Sequence, residues 1–139
     1  MGWLSRFILS AGGIKIPEPE DIEFDDTENK VGVHLLSYYG EVHDHKSETI
    51  DVAEVSELID NLDWEDNFYQ VVCTLRPGVS MEVGGSLNES DGLAAVYQNR
   101  PENISYVSSD GPDSRKEMIE IMESFIRGTS CWRKKFGVE

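Results

Sequence analysis

The sequence predicts an α+β fold, an antiparallel sheet of about four to six strands packed by two main helices. Three observations lead there. Short runs rich in β-branched and aromatic residues recur between Gly- and Pro-containing turns from Lys30 to Ser108. Two later stretches, after Asp51 and after Ser114, carry apolar residues at the three-and-four spacing of an amphipathic helix. With 139 residues, 39% of them hydrophobic, the chain has the length of one domain and enough apolar side chain for its own core.

Taken in order, Trp3, Leu4, Phe7 and Ile8 share one side of a short N-terminal helix that docks on the domain or on a partner. The interrupted apolar stretch, the lone Arg6 and the lack of a small-residue cleavage site argue against a secretory signal. A membrane-surface helix would carry more Lys and Arg. Gly12-Gly13 ends this segment, and the prolines of Pro17-Glu-Pro-Glu-Asp21 disfavour helix in the acidic arm that runs to Glu28. Residues 1–29 are therefore read as a short helix and acidic arm, and residues 30–139 as a single α+β domain.

Lys30 to Tyr39 reads as a strand stopped by Gly40, and Glu41 to Glu48 as a polar turn or the second strand of a hairpin. Asp51-Val-Ala-Glu54 has capping-box form, and Val55, Leu58, Ile59 and Leu62 continue it as an amphipathic helix. From Asn67 the period changes to two. Phe68 to Arg76 is a strand ended by the turn pair Pro77-Gly78. Ser80 to Val83, Leu93 to Tyr97 and Asn103 to Ser108 complete an antiparallel meander. Gly84-Gly85 suggests a bulge or a close approach of backbones. Ser114-Arg-Lys-Glu117 is a second capping box; Met118, Ile121, Met122, Phe125 and Ile126 form the stripe of the last helix, and Gly128 sits where a C-cap glycine belongs. Trp132 and Phe136 in the tail close one edge of the core.

Charge is the strongest functional signal. Residues 1–70 hold 17 Asp/Glu against 4 Lys/Arg and residues 71–139 hold 10 against 8, which together give the net charge of −15. A negative field of this kind suits a basic partner and repels nucleic acid and anionic membrane. The two cysteines, Cys73 and Cys131, are too few for a disulfide framework and fit a reduced, cytoplasmic protein. No stretch approaches the roughly 20 apolar residues that span a bilayer.

Catalytic signatures are weak. His43 and His45 would face the same way in an extended segment, as two metal ligands do, but the segment's polarity suits a solvated turn. Val83-Gly-Gly-Ser-Leu87 lacks the second flanking glycine of a nucleophile elbow. There is no phosphate loop, dinucleotide fingerprint or spaced cysteine quartet. The expectation is a protein that binds rather than catalyses, with no cofactor and no metal. In Leu62-Asp-Trp-Glu-Asp-Asn-Phe68, Trp64 stands among three acids at a helix-to-strand junction; it reads equally as an interface anchor and as a core tryptophan capping the sheet.

The organisation from Val52 to Glu139 resembles that of bacterial immunity proteins, in particular the family often encoded beside deaminase-type polymorphic toxins. The resemblance rests on Val55-Ser-Glu-Leu-Ile-Asp60, Met81-Glu-Val-Gly-Gly85, Gly92-Leu-Ala-Ala-Val-Tyr97, and Met118 to Phe125 running into Gly128 and Trp132. It covers about two thirds of the chain, and the tail only loosely echoes the tryptophan–acid pair with which the family usually ends. The resemblance implies a small α+β domain that binds one secreted antibacterial toxin, of the deaminase or nuclease kind, and occludes its active site or substrate groove. A toxin that acts on nucleic acid needs a basic groove, so an acidic inhibitor competes for the same cationic side chains. The expected contact residues are Asp25, Asp26, Glu28, Asp60, Asp63, Glu65 and Asp66, with Trp64 as anchor. Two other readings stay open: an effector chaperone or adaptor sharing the acidic surface, and a small metal-dependent enzyme using His43 and His45.

Overall fold

The computed structural model describes residues 29–37, 42–88, 92–109 and 111–138. Six strands form one antiparallel sheet: β1 (Gly32–Ser37), β2 (Val42–Ser47), β3 (Tyr69–Arg76), β4 (Val79–Gly85), β5 (Leu93–Asn99) and β6 (Ile104–Val107), in the spatial order β2-β1-β3-β4-β5-β6. Among the described residues two α-helices accompany it, α1 (Val52–Asn61) between β2 and β3 and α2 (Arg115–Arg127) after β6. A 3-10 helix, Cys131–Phe136, follows α2. The fold is α+β, as the periodicities require, and of the two alternatives for the segment after Gly40, turn or strand, Val42–Ser47 form a strand.

Local chemistry explains the boundaries. Asp51 caps α1 by accepting from the Ala53 amide at 3.4 Å, and Ser114 caps α2 by accepting from the Glu117 amide at 3.2 Å. Glu117 turns its carboxylate to Lys135, 2.8 Å away in the 3-10 tail. At the other end of α2, Gly128 adopts φ 76, and the amides of Gly128 and Thr129 return to the carbonyls of Phe125 and Ser124. That is the bonding of a Schellman stop. Pro77-Gly78, with Gly78 at φ 85, turns β3 into β4, and the register shifts between Thr74 and Arg76 to accommodate it. Gly84 is required by proximity: a Cβ there would lie 2.7 Å from the Tyr69 carbonyl oxygen.

Directly opposed residues of an antiparallel sheet share a face, so the register sorts the side chains. On the first face, Val33, Cys73, Met81 and Tyr97 form one row and Leu35, Val71, Val83 and Ala95 the next. Val55 and Ile59 of α1 and Met118, Ile121, Met122 and Phe125 of α2 pack against them, each 4% exposed or less. Trp132 and Phe136 of the 3-10 helix join this core. Trp132 lies 4.5 Å from the Tyr97 ring and meets Phe136 edge-on at 5.4 Å. Burial of these two rings is the physical reason that the short tail docks.

The second face carries a separate cluster, Leu36, Phe68, Val72, Ala94 and Val96, to which neither α1 nor α2 contributes among the described residues. It is also buried, so β4 is buried along its whole length. A strand of period two commonly buries one face and wets the other. The structure differs: Gln70 and Glu82 are at 0% and 5% exposure and meet at 2.8 Å, the amide donating to the carboxylate. None of the described helices is long and apolar enough to cross a membrane.

Candidate acidic binding surface

The segment from β2 to β3 concentrates exposed carboxylates. Asp44, Glu48, Asp51, Glu54, Glu57, Asp60, Asp63, Glu65 and Asp66 are all exposed, and Lys46 is the only Lys or Arg between Asp44 and Asp66. The helical repeat puts Val55 and Ile59 into the core and thereby turns Glu54, Glu57 and Asp60 outward. Two of the nine are neutralised by neighbours. Lys46 bonds Asp44 at 2.7 Å, and Arg115 grips Glu65 with both terminal nitrogens, one of them at 2.9 Å. The other seven form no ion pair among the described residues.

Arg115 resolves an electrostatic conflict at the end of α1. Acidic residues near a helix C-terminus oppose the dipole, and the last turn of α1 has no basic residue of its own. Arg115 supplies the missing cation from the first turn of α2, donating to the Leu62 carbonyl at 3.1 Å as well as to Glu65. The bidentate hydrogen bond from Arg115 is the main cause that holds the Glu65 carboxyl at a pKa of about 2. Reciprocally, Glu65 raises the pKa of Arg115, with Asp60 and Asp63 adding their field. One cation thus serves three carboxylates, and of these it directly binds Glu65.

Trp64 is a core residue, which corrects its reading as a surface anchor. It is 0% exposed, its indole N–H donates to the Ile59 carbonyl at 2.8 Å, and its ring meets Tyr69 edge-on at 5.5 Å. Its own carbonyl accepts from the Ser86 hydroxyl at 2.8 Å and the Leu87 amide at 2.9 Å. The neighbouring turn is closed by the Asn67 amide on the Asp63 carbonyl at 3.1 Å and by the Asp66 amide on the Asp63 carboxylate at 3.4 Å. Burying the indole therefore sets the direction in which Asp63, Glu65 and Asp66 face solvent.

Asp60, Asp63, Glu65 and Asp66 are brought together on this one surface. Asp25, Asp26 and Glu28 lie outside the described residues. Sequence reasoning missed Arg115, whose partners are 50 and 53 positions away; its first-turn position, unfavourable for α2's own dipole, was the available signal.

Other chemistry is sparse. His45 stacks on His34 with ring centroids 4.7 Å apart, and His34 donates to the Lys30 carbonyl at 2.8 Å. The His43 side chain lies outside the described residues. Among the described residues no group of three or more His, Cys, Asp or Glu gathers as a metal site would require. Cavities of about 300 and 220 Å³ open beside Trp132 and between α1 and the β1–β2 hairpin. Both fall at or below the lower limit of small-molecule pockets, which is roughly 300 Å³. The acidic surface is the feature best suited to recognition. Comparison of the chain with protein-family models, with curated proteins and with solved structures gave no match.

Proposed function

We propose that this protein is an immunity protein: a non-enzymatic, stoichiometric inhibitor that binds the basic surface of a cognate antibacterial toxin. The observation that carries the reading is the row of seven exposed carboxylates, running from Glu48 through α1 to Asp66, that form no ion pair among the described residues. Such a row offers a cationic groove the charge pattern of a phosphate backbone, and it draws the partner in over a Debye length of about 10 Å at 0.1 M salt. The family resemblance along Val52 to Glu139 adds the biological setting, a nucleic-acid-targeting toxin such as a deaminase or nuclease. Asp60, Asp63 and Asp66 are the central contacts; Glu65, already held by Arg115, is a weaker one.

The experiment pairs this protein with the toxin domain encoded by the adjacent reading frame. Binding should abolish toxin activity at one-to-one stoichiometry. Changing Asp60, Asp63 and Asp66 together to Lys should slow association about 10- to 100-fold at low salt, with a smaller effect at high salt. Association unchanged at low salt removes this surface from the interface. Tight binding that leaves the toxin fully active indicates a chaperone or adaptor instead.

A further inference from the structure

We propose that the cleft between the β3–β4 turn and the end of α2 binds the C-terminal residue of a partner peptide, taking its free carboxylate at Arg76 and its apolar side chain against Tyr97 and Trp132. The cleft has a volume of about 300 Å³, and its lining residues include Arg76 and Arg133 but no Asp or Glu. In a chain with 27 Asp and Glu against 12 Lys and Arg, this cleft has the opposite sign. It is also remote from the acidic row. β3 starts at Tyr69, three residues beyond Asp66, and reaches Arg76 about 23 Å away at the rise of a strand.

A register shift puts Arg76 there. Strict alternation would give Arg76 the face of Thr74, the second face of the sheet. The shift between Thr74 and Arg76 instead sets Arg76 opposite Val79, and opposed residues share a face. Val79 belongs to the core of the first face, with Tyr97, Phe125 and Trp132. Of the five described arginines, Arg76 alone has no side-chain hydrogen bond, ion pair or ring contact: Arg115 and Arg127 hold Glu65 and Glu123, Arg133 lies over Trp132, and Arg100 has a partner of its own. The Arg133 guanidinium carbon is 5.0 Å from the Trp132 ring centroid, so a second cation borders the aromatic floor. The Ser130 hydroxyl, on the same rim, makes no capping bond to the 3-10 helix. The C-terminal end of α2 also opens here, but its dipole amounts to about half a negative charge, less than the full charge of one guanidinium.

These features select the ligand. A guanidinium takes a carboxylate through two parallel N–H bonds, and the volume suits one residue rather than a whole metabolite. An Asp or Glu side chain brings the carboxylate without the apolar group, whereas a chain terminus brings both on one residue. Nucleic acid is repelled by the net charge of −15.

N-acetylphenylalanine, which carries both groups, is the probe, and the Trp132 indole N–H in heteronuclear NMR spectra of the full-length protein is the reporter. Its signal should shift saturably with a Kd of about 1 mM, ordinary for a ligand of that size. N-acetylphenylalanine amide, which lacks the charge, should bind at least about tenfold more weakly, and Arg76→Gln should weaken binding of the acid as much. Arg76 is exposed, so that variant should keep the parent's urea midpoint. Lys116→Gln, which removes an exposed cation at the other end of α2, should leave binding unchanged. No saturable shift up to about 10 mM, equal binding of acid and amide, or binding unchanged by Arg76→Gln overturns the proposal. So does equal binding of acetate or of N-acetylglutamate α-amide, which would make the cleft a site for any carboxylate.

Discussion

Replacing Trp64 by Phe separates a core tryptophan from a surface anchor. The indole N–H bonds the Ile59 carbonyl at 2.8 Å at a site with no solvent access. Phe leaves that carbonyl buried and unpartnered, which costs about 1–3 kcal/mol. The smaller ring also leaves a void where the indole met Tyr69, and lost transfer and cavity energies add about 1–2 kcal/mol. The sum, about 2–5 kcal/mol, is a large share of a domain's stability. With a urea m-value of about 2 kcal/mol/M, the midpoint should fall by about 1–2.5 M. Far-UV circular dichroism is the suitable probe, because the substitution removes a fluorophore. A midpoint within about 0.3 M of the parent would refute the burial argument, and it would return Trp64 to the surface as a candidate contact.

The ion pair and the cysteines give further tests. Arg115→Gln should free Glu65 to titrate in the ordinary carboxylate range rather than near 2. Because the folded-state pKa is depressed, the stabilisation from this pair is present above the unfolded value and fades as pH falls toward 2. The urea midpoints of parent and variant should therefore differ most at neutral pH and converge in acid, and a pH-independent gap would show that Arg115 acts through Leu62 alone. Cys131 is exposed, whereas Cys73 is fully buried and burial pushes its thiol up to about 12. An alkylating reagent at pH 8 should modify one thiol rapidly in the native protein and the second only in denaturant; two fast thiols would contradict the packing of β3. The raised pKa also predicts that stability falls as pH rises from the unfolded thiol value toward 12, a loss that Cys73→Ala should remove.

Elements governed by near neighbours were legible in the sequence. Asp51 and Ser114 cap through amides two or three residues away, and Gly128 and Thr129 end α2 through carbonyls three and five residues back, respectively. Local chemistry of that kind is written in a short window. The close approach suggested by Gly84-Gly85 is present, whereas the shift in the β3–β4 register falls at the other end of the hairpin, near Thr74 and Arg76. The rest depended on distance. Whether Trp64 points in or out turns on the carbonyl of Ile59 and on a place in the core made by several strands, so its acidic neighbours were a poor guide. The partners of Arg115 became visible only once α1 and α2 were side by side. Glu82, a carboxylate between Met81 and Val83, is buried, and nothing local announces that Gln70 will meet it there.

The Trp64 carbonyl, held by Ser86 and Leu87, fastens the end of α1 to the turn that leads out of β4. A turn tied down from beneath has few conformations left to surrender when another molecule settles on it. On the proposed reading, in which Asp63 and Asp66 contact a partner, selectivity comes from fixed spacing, and a target whose cations stand at other intervals would have to deform itself or be refused.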